Sequence, residues 1–199
     1  MDRHASRRKF KAVFDEWVAG KSCAICGENR RACLERHHRN PDAKAFFTAD
    51  FINSAKFTPE NERKLRKELA KCEVLCGICH RRLHGLGRPN LQKQRCTEYA
   101  EIWWELSGRQ AVCEDCGHKF ERLDVDFHHR DPAQKVAALS ALMQLSPVSA
   151  KPGRRMSLQK AAERQELNRK KVLDEMAKCD ILCVNCHKLR HEVAPQGGK

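Results

Sequence analysis

Four Cys-x-x-Cys pairs limit most strongly what this chain can fold into: Cys23 and Cys26, Cys76 and Cys79, Cys113 and Cys116, and Cys183 and Cys186. Two such pairs supply four thiolates in a tetrahedron, the geometry zinc prefers in structural sites. The chain opens Met-Asp-Arg-His-Ala-Ser-Arg-Arg-Lys, without an apolar leader, and no stretch is long enough to cross a membrane. A reducing, cytoplasmic setting (in a bacterial, archaeal or phage-infected cell) is therefore expected. There, paired thiols read as metal ligands rather than disulfides. The spacing predicts two structural Zn2+ ions, one held by Cys23, Cys26, Cys76 and Cys79, the other by Cys113, Cys116, Cys183 and Cys186. Of the other thiols, Cys72 and Cys179 stand at equivalent places and read as small core residues. Cys33 and Cys96 have no inferable partner.

The pairs belong to a tandem duplication. The leading thiols of the two halves lie 90 positions apart, the histidine pairs His37-His38 and His128-His129 lie 91 apart, and the closing knuckles lie 107 apart. The second half thus carries 16 extra residues. The likeness runs beyond the thiols. Glu68-Leu-Ala-Lys-Cys-Glu-Val-Leu-Cys76 parallels Glu175-Met-Ala-Lys-Cys-Asp-Ile-Leu-Cys183, and His37-His-Arg-Asn-Pro-Asp-Ala-Lys44 parallels His128-His-Arg-Asp-Pro-Ala-Gln-Lys135.

Periodicity then places the elements. Phe10, Val13, Phe14, Trp17 and Val18 recur at helical spacing before Gly20, as Tyr99, Ile102, Trp103 and Leu106 do before Gly108. These aromatics read as packed helix faces rather than base-stacking groups. Each knuckle should lead into a β-hairpin around the histidine pair, because Leu123, Val125 and Phe127 alternate with polar residues, and Leu34, Glu35 and Arg36 repeat this more weakly. A charged helix follows, starting at Thr58-Pro59-Glu60 in the first half and running from about Leu158 to Ala177 in the second. The expected architecture is α+β, with two zinc-stapled domains over 1–87 and 88–199, each preceded by a helix. Gly85 to Asn90 would link them, and a basic insertion lies near 140–156.

At 199 residues, 33% charged and 6% aromatic, the chain has little apolar mass for two cores, which suits metal stapling. A formal charge of +13 points to a polyanion, nucleic acid first. Arg7, Arg8, Lys9, Arg81, Arg82, Arg130, Arg154 and Arg155 are candidate phosphate contacts, which position an enzyme but carry little sequence information. His187 and His191 sit four apart on the helix expected at the second knuckle, so both face one way, and His80 and His84 repeat this.

Cys113-x-x-Cys116, Leu123-Asp-Val-Asp-Phe-His-His-Arg-Asp-Pro132 and Lys178-Cys-Asp-Ile-Leu-Cys-x-x-Cys-His187-x-x-x-His191 resemble the HNH endonucleases, the ββα-metal or His-Me finger nucleases. The motif-bearing regions cover most of both halves. The resemblance implies that His128 and His37 help hold a catalytic divalent ion with His187, His191, His80 and His84, while His129 and His38 activate water. It implies a metal-dependent DNA endonuclease using Mg2+ or Mn2+, with Ni2+ or another transition ion also suited to the imidazoles. Its products would be 5′-phosphate and 3′-hydroxyl ends of double-stranded DNA. Two centres in one chain would cut both strands, so a monomer would act as a pseudo-dimer, with a homodimer the other arrangement. Rival readings are a nuclease selective for branched DNA, a nickase with one degenerate centre, and a non-catalytic zinc module that binds nucleic acid.

This chain departs from the family pattern at several places. Lys71 and Lys178 stand where the family's asparagine should lie, five residues before the second knuckle. Asn185 lies within the second knuckle, where the first half has Ile78. Asp126, Phe127 and Asp131 of the second half become Glu35, Arg36 and Asn40 in the first. Because all four histidines persist there, the first centre is still expected to be active.

Overall fold

The structure, a computed structural model, describes residues 2–85, 91–121, 124–144 and 158–193. Residues 86–90 of the expected linker, Leu123, and the segment 146–155 with Arg154 and Arg155 lie outside the described residues. The fold is mixed α+β, and the described residues form eight α-helices and two separate two-stranded sheets. Two compact units emerge, Met1–His80 and Arg81–Lys199, and the division between them falls within one helix, Gly77–Gly85.

The first half opens with α1, Arg3–Val18, whose Asp2 side chain accepts a hydrogen bond from the His4 amide. Phe10, Val13, Phe14 and Val18 are buried along it, as the helical spacing predicts. Gly20 ends the turn at φ +70°, a left-handed value that costs glycine nothing. Strand β1 is Leu34–His38. A 3-10 turn at Pro41–Ala43 follows, capped by the Asn40 side chain, and then α2, Thr48–Ser54. Helix α3, Pro59–Leu69, starts as its sequence dictates, with the Thr58 hydroxyl accepting from the Asn61 amide and proline in the first turn. Strand β2 is Cys72–Cys76, and α4, Gly77–Gly85, begins directly after it.

The second half repeats the order: α5, Leu91–Ser107; β3, Val125–His129; a 3-10 turn at Pro132–Gln134 capped by Asp131; α6, Leu139–Gln144; α7, Leu158–Met176; β4, Cys179–Cys183; and α8, Val184–Val193. Helix α7 has 19 residues against 11 in α3, so part of the extra length extends this helix at its start. Cys96 and Ala100 are buried on α5, and Tyr99 and Trp103 pack beside them. Leu106, expected on that face, is 64% exposed in the last turn of α5, beyond the residues that pack.

The expected hairpin around the histidines is not what forms. β1 pairs antiparallel with β2, which begins 34 positions after His38, and β3 pairs with β4 in the same register. Leu34 faces Cys76 and His38 faces Cys72; Val125 faces Cys183 and His129 faces Cys179. The cause lies just past each histidine pair. Pro41 and Pro132 lack an amide hydrogen for a ladder, and the Asx-capped turn steers the chain into helices before it returns.

The cores are small and separate. Phe10, Val13, Phe14, Leu65 and Leu69 join α1 to α3, and Val172, Met176, Leu139 and Met143 join α7 to α6. Beside the first sheet the apolar cluster includes cysteines of the knuckles: Val18, Leu34, Val74 and Leu75 pack with Cys23, Cys76 and Cys79. Among the described residues, no helix is long and apolar enough to cross a membrane.

Candidate metal centres and the histidine sites

Each thiol quartet is assembled from a loop, a strand end and a helix start. Cys23 and Cys26 sit in a tight knuckle closed by the Gly27 amide, which donates to the Cys23 carbonyl at 3.0 Å. Gly27 has φ +77° and its counterpart Gly117 has φ +69°, so the glycine after each leading pair is a requirement of the turn. The Ala24 and Glu114 amides donate to the carbonyls of Val74 and Ile181 at 2.9 and 3.1 Å, pinning each knuckle to its sheet.

The ligand atoms of Cys23, Cys26, Cys76 and Cys79 lie within 4.8 Å of one another, as do those of Cys113, Cys116, Cys183 and Cys186. Cys26 Sγ is 3.6 Å from Cys76 Sγ, and Cys116 Sγ is 3.9 Å from Cys183 Sγ. Tetrahedral zinc with bonds of about 2.3 Å requires sulfurs roughly 3.8 Å apart. Amides at the helix starts donate to the sulfurs: Cys79 to Cys76 at 3.5 Å and Cys186 to Cys183 at 3.4 Å. Burial pushes the thiols of Cys79, Cys183 and Cys186 up, that of Cys183 to about 12. At Cys23, burial also pushes up, but hydrogen bonds from the Cys26, Cys76 and Ile25 amides outweigh it and bring the thiol down to about 7. Such a set ionises fully only with a cation at its centre. Both quartets are therefore compatible with structural zinc.

A strand sends adjacent side chains to opposite faces, and each histidine pair is divided in this way. His37 turns toward α4, where its ring meets His80 edge-on with centroids 5.3 Å apart. His128 turns toward α8, 5.4 Å from the His187 ring and 5.1 Å from the His191 ring. The nitrogens of His37, His80 and His84 lie within 4.8 Å of one another, and so do those of His128, His187 and His191. The residue two before each of these strand histidines shares its face. Glu35 contacts His80 Nδ1, and Asp126 Oδ2 lies 3.4 Å from His187 Nδ1. A carboxylate at Nδ1 leaves Nε2 as the metal-facing nitrogen, and His187 Nε2 indeed meets His191 Nε2 at 3.1 Å. Burial, then the positive charges of His187 and His191, lowers the His128 pKa; burial and His187 lower that of His191. Both therefore favour the neutral, ligating form. Three imidazoles facing one point fit a divalent transition ion with open positions.

His38 and His129 point the other way. Each Nε2 lies 2.9 Å from a carboxylate, Glu68 Oε1 or Glu175 Oε1, on the helices α3 and α7. Both glutamates are buried, 2% and 3% exposed. Their other oxygens accept from Lys71 and Lys178 at 2.7 Å, and the same lysines donate to the carbonyls of Ala43 and Gln134 in the loop beyond the histidines. Loop amides complete the set: Ala45 donates to Glu68, and Val136 to Glu175, both at 2.9 Å. Burial alone would raise Glu175, but Lys178, His129 and the Val136 and Ala137 amides hold its carboxyl down at about 2. Glu68 is lowered by the equivalent partners. In the second half a cleft of about 380 Å³ is lined by Asp126, His128, His129, His187, His191 and Lys135, among others.

Of the three substitutions along the histidine strand and its following turn, two preserve the contact. Glu35 and Asp126 both reach Nδ1 of the first helix histidine, and Asn40 and Asp131 both cap the following turn. Only Arg36 for Phe127 changes the chemistry, the arginine binding Thr48 Oγ1 and lying over the Phe14 ring.

The basic residues are placed variously. Arg7, Arg8 and Lys9 are exposed on α1. Arg130 donates to the backbone carbonyls of Cys179 and Ala177 and to Asp180, so its guanidinium braces the turn before β4. Arg81 and Arg82 pair with Asp126 and Asp124. The sequence reading assigned no part to Glu68 or Glu175, although the repeated Glu-x-x-Lys-Cys carried the signal. Comparison with protein-family models, with curated proteins and with solved structures yields no match to this chain.

Proposed function

We propose that the chain is a metal-dependent DNA endonuclease of the HNH kind, with one hydrolytic centre in each half. The observation that carries this reading is the division of each histidine pair. One member joins two helix histidines in a metal-ligating trio, while its neighbour is held separately by a buried carboxylate. A zinc module that only binds nucleic acid would need the thiols but neither of these arrangements.

An ionised carboxylate can only accept, so His129 Nε2 carries the hydrogen and Nδ1 keeps a lone pair. That nitrogen takes a proton from water. The water oxygen bonds to phosphorus, the bond from phosphorus to the 3′ oxygen breaks, and the leaving oxygen takes a proton from solvent. The products are a 5′-phosphate and a 3′-hydroxyl. A divalent ion held by His128, His187 and His191 would supply Lewis-acid stabilisation of the negative charge that develops on the phosphate and the leaving oxygen. Three imidazoles suit manganese, cobalt, nickel or zinc better than magnesium, which prefers oxygen ligands. The matched contacts of Glu35 with Asp126 and of Asn40 with Asp131 favour two working centres over a nickase.

The test is cleavage of supercoiled plasmid with each divalent ion and with EDTA. The wild type should yield nicked circles and linear product, His38→Ala or His129→Ala should slow cleavage at least about 10²-fold at the affected centre, and the double variant should be inert. Undiminished metal-dependent cleavage by the double variant would refute this assignment of the bases.

A further inference from the structure

One question concerns how the proposed bases are held when the family's asparagine is missing. The inference rests on the reading above. We propose that Glu175 and Glu68 are positioning residues that set the tautomer and orientation of His129 and His38. In the same proposal, Lys178 and Lys71 latch those carboxylates to the loop beyond each histidine pair, so that two side chains do the work of the asparagine.

The geometry supports both halves of this device. Lys178 stands five residues before Cys183, where the asparagine would lie, and reaches forward to the Gln134 carbonyl at 3.2 Å. Lys71 reaches the Ala43 carbonyl at 2.9 Å. Each lysine thus ties the start of the second sheet strand to the loop that leaves the first. A lysine has three donors but no acceptor, so it cannot itself receive the histidine's N–H. That task falls one helical turn earlier, to the glutamate, which faces the same way at i−3. Glu175 collects His129 Nε2, the Val136 amide and Lys178. Glu68 collects His38 Nε2, the Ala45 amide and Lys71. The partners are matched position for position in two halves that have diverged at many other places. An ion cluster kept only to fasten helix to strand would not need the histidine as its third partner.

The alternative is that these glutamates are purely structural. The separating experiment uses full-length protein carrying His38→Ala, so that only the second centre acts, with and without Glu175→Gln. The glutamine is isosteric, but its amide can donate to Nε2 and so favour the other tautomer. Turnover should fall on the order of 10²-fold or more, with KM within about twofold and with zinc and manganese content unchanged. Nitrogen NMR of 15N-histidine-labelled protein should show His129 with hydrogen on Nε2 alone in the parent and a mixed or reversed tautomer in the variant. An unchanged tautomer, or unchanged turnover, overturns the proposal. Should Glu175→Gln not fold, Glu68→Gln in a His129→Ala chain asks the same of the first centre. The NMR readout does not depend on cleavage. If the parent cuts no DNA, yet its His129 tautomer depends on Glu175, the positioning stands and the nuclease reading fails.

Discussion

Glu175 sits where a charge is costly, and its partners decide whether it stays. With one carboxyl buried against Lys178, His129 and two amides, removal of the acid would strand several donors at once. Glu175→Ala should therefore destabilise the second unit by about 3–5 kcal/mol, as breaking a buried ion pair does. The pH dependence has a definite sign. The folded carboxyl titrates at about 2, below its ordinary value of 4.5, so it stabilises the fold fully above the higher value. That contribution is lost as pH falls from about 4.5 toward 2. Thermal melts of wild type and Glu175→Gln across that window, with zinc release followed separately, should converge as the pH drops; a constant gap would mean the carboxylate is not the acid-sensitive group. At this scale the sequence was half legible. Histidine and cysteine announced themselves by chemistry and spacing. Glutamate did not, because within charged helices such as α3 and α7 an acid reads as solvated face, and only the strand behind it shows otherwise.

Among the elements, helices were legible and strand pairing was not. Phe10, Val13, Phe14 and Val18 mark one face of α1 because helical neighbours are close in sequence, and Thr58-Pro59 marks the start of α3 for the same reason. β2 and β4 are five residues each, Cys-Glu-Val-Leu-Cys and Cys-Asp-Ile-Leu-Cys, and pair with residues more than thirty positions earlier. Nothing local encodes such a partner. The knuckle is pinned to the middle of β2 or β4 by a backbone bond. Its glycine should be sensitive for one reason only. No atom lies within 4 Å of a Cβ added at Gly117, so Gly117→Ala meets no clash, but alanine at φ +69° pays the left-handed penalty of about 1–2 kcal/mol. The melting temperature of the second unit should fall by several degrees with its zinc retained. A fall beyond about 3 kcal/mol, or loss of the ion, would show that the knuckle does more than turn the chain.

For the whole chain, the small separate cores set the terms. A third of the residues are charged, and the formal charge of +13 repels itself, so little apolar burial opposes a large entropy of unfolding. In the first half, Cys23, Cys76 and Cys79 are themselves members of the buried cluster with Val18, Leu34, Val74 and Leu75. Stripping the metal would leave buried thiols, most of them reprotonated, with no ion to tie the knuckle and the helix start to the only sheet of that unit among the described residues. Structural zinc sites of this kind contribute about 10–16 kcal/mol of binding free energy in small domains, comparable to the whole stability of a domain. Two zinc ions per chain are therefore expected by mass spectrometry under native conditions, and a strong chelator should collapse the helical circular dichroism as both are released. Zinc should restore the signal and magnesium should not, since thiolates are poor ligands for a hard ion. Cys183→Ser should bind one zinc and lose only the second unit's share of ordered structure, because each quartet draws all four ligands from one half. A chain that releases both ions and keeps its full helical signal would mean that the apolar clusters suffice, and that the thiols serve something other than the fold.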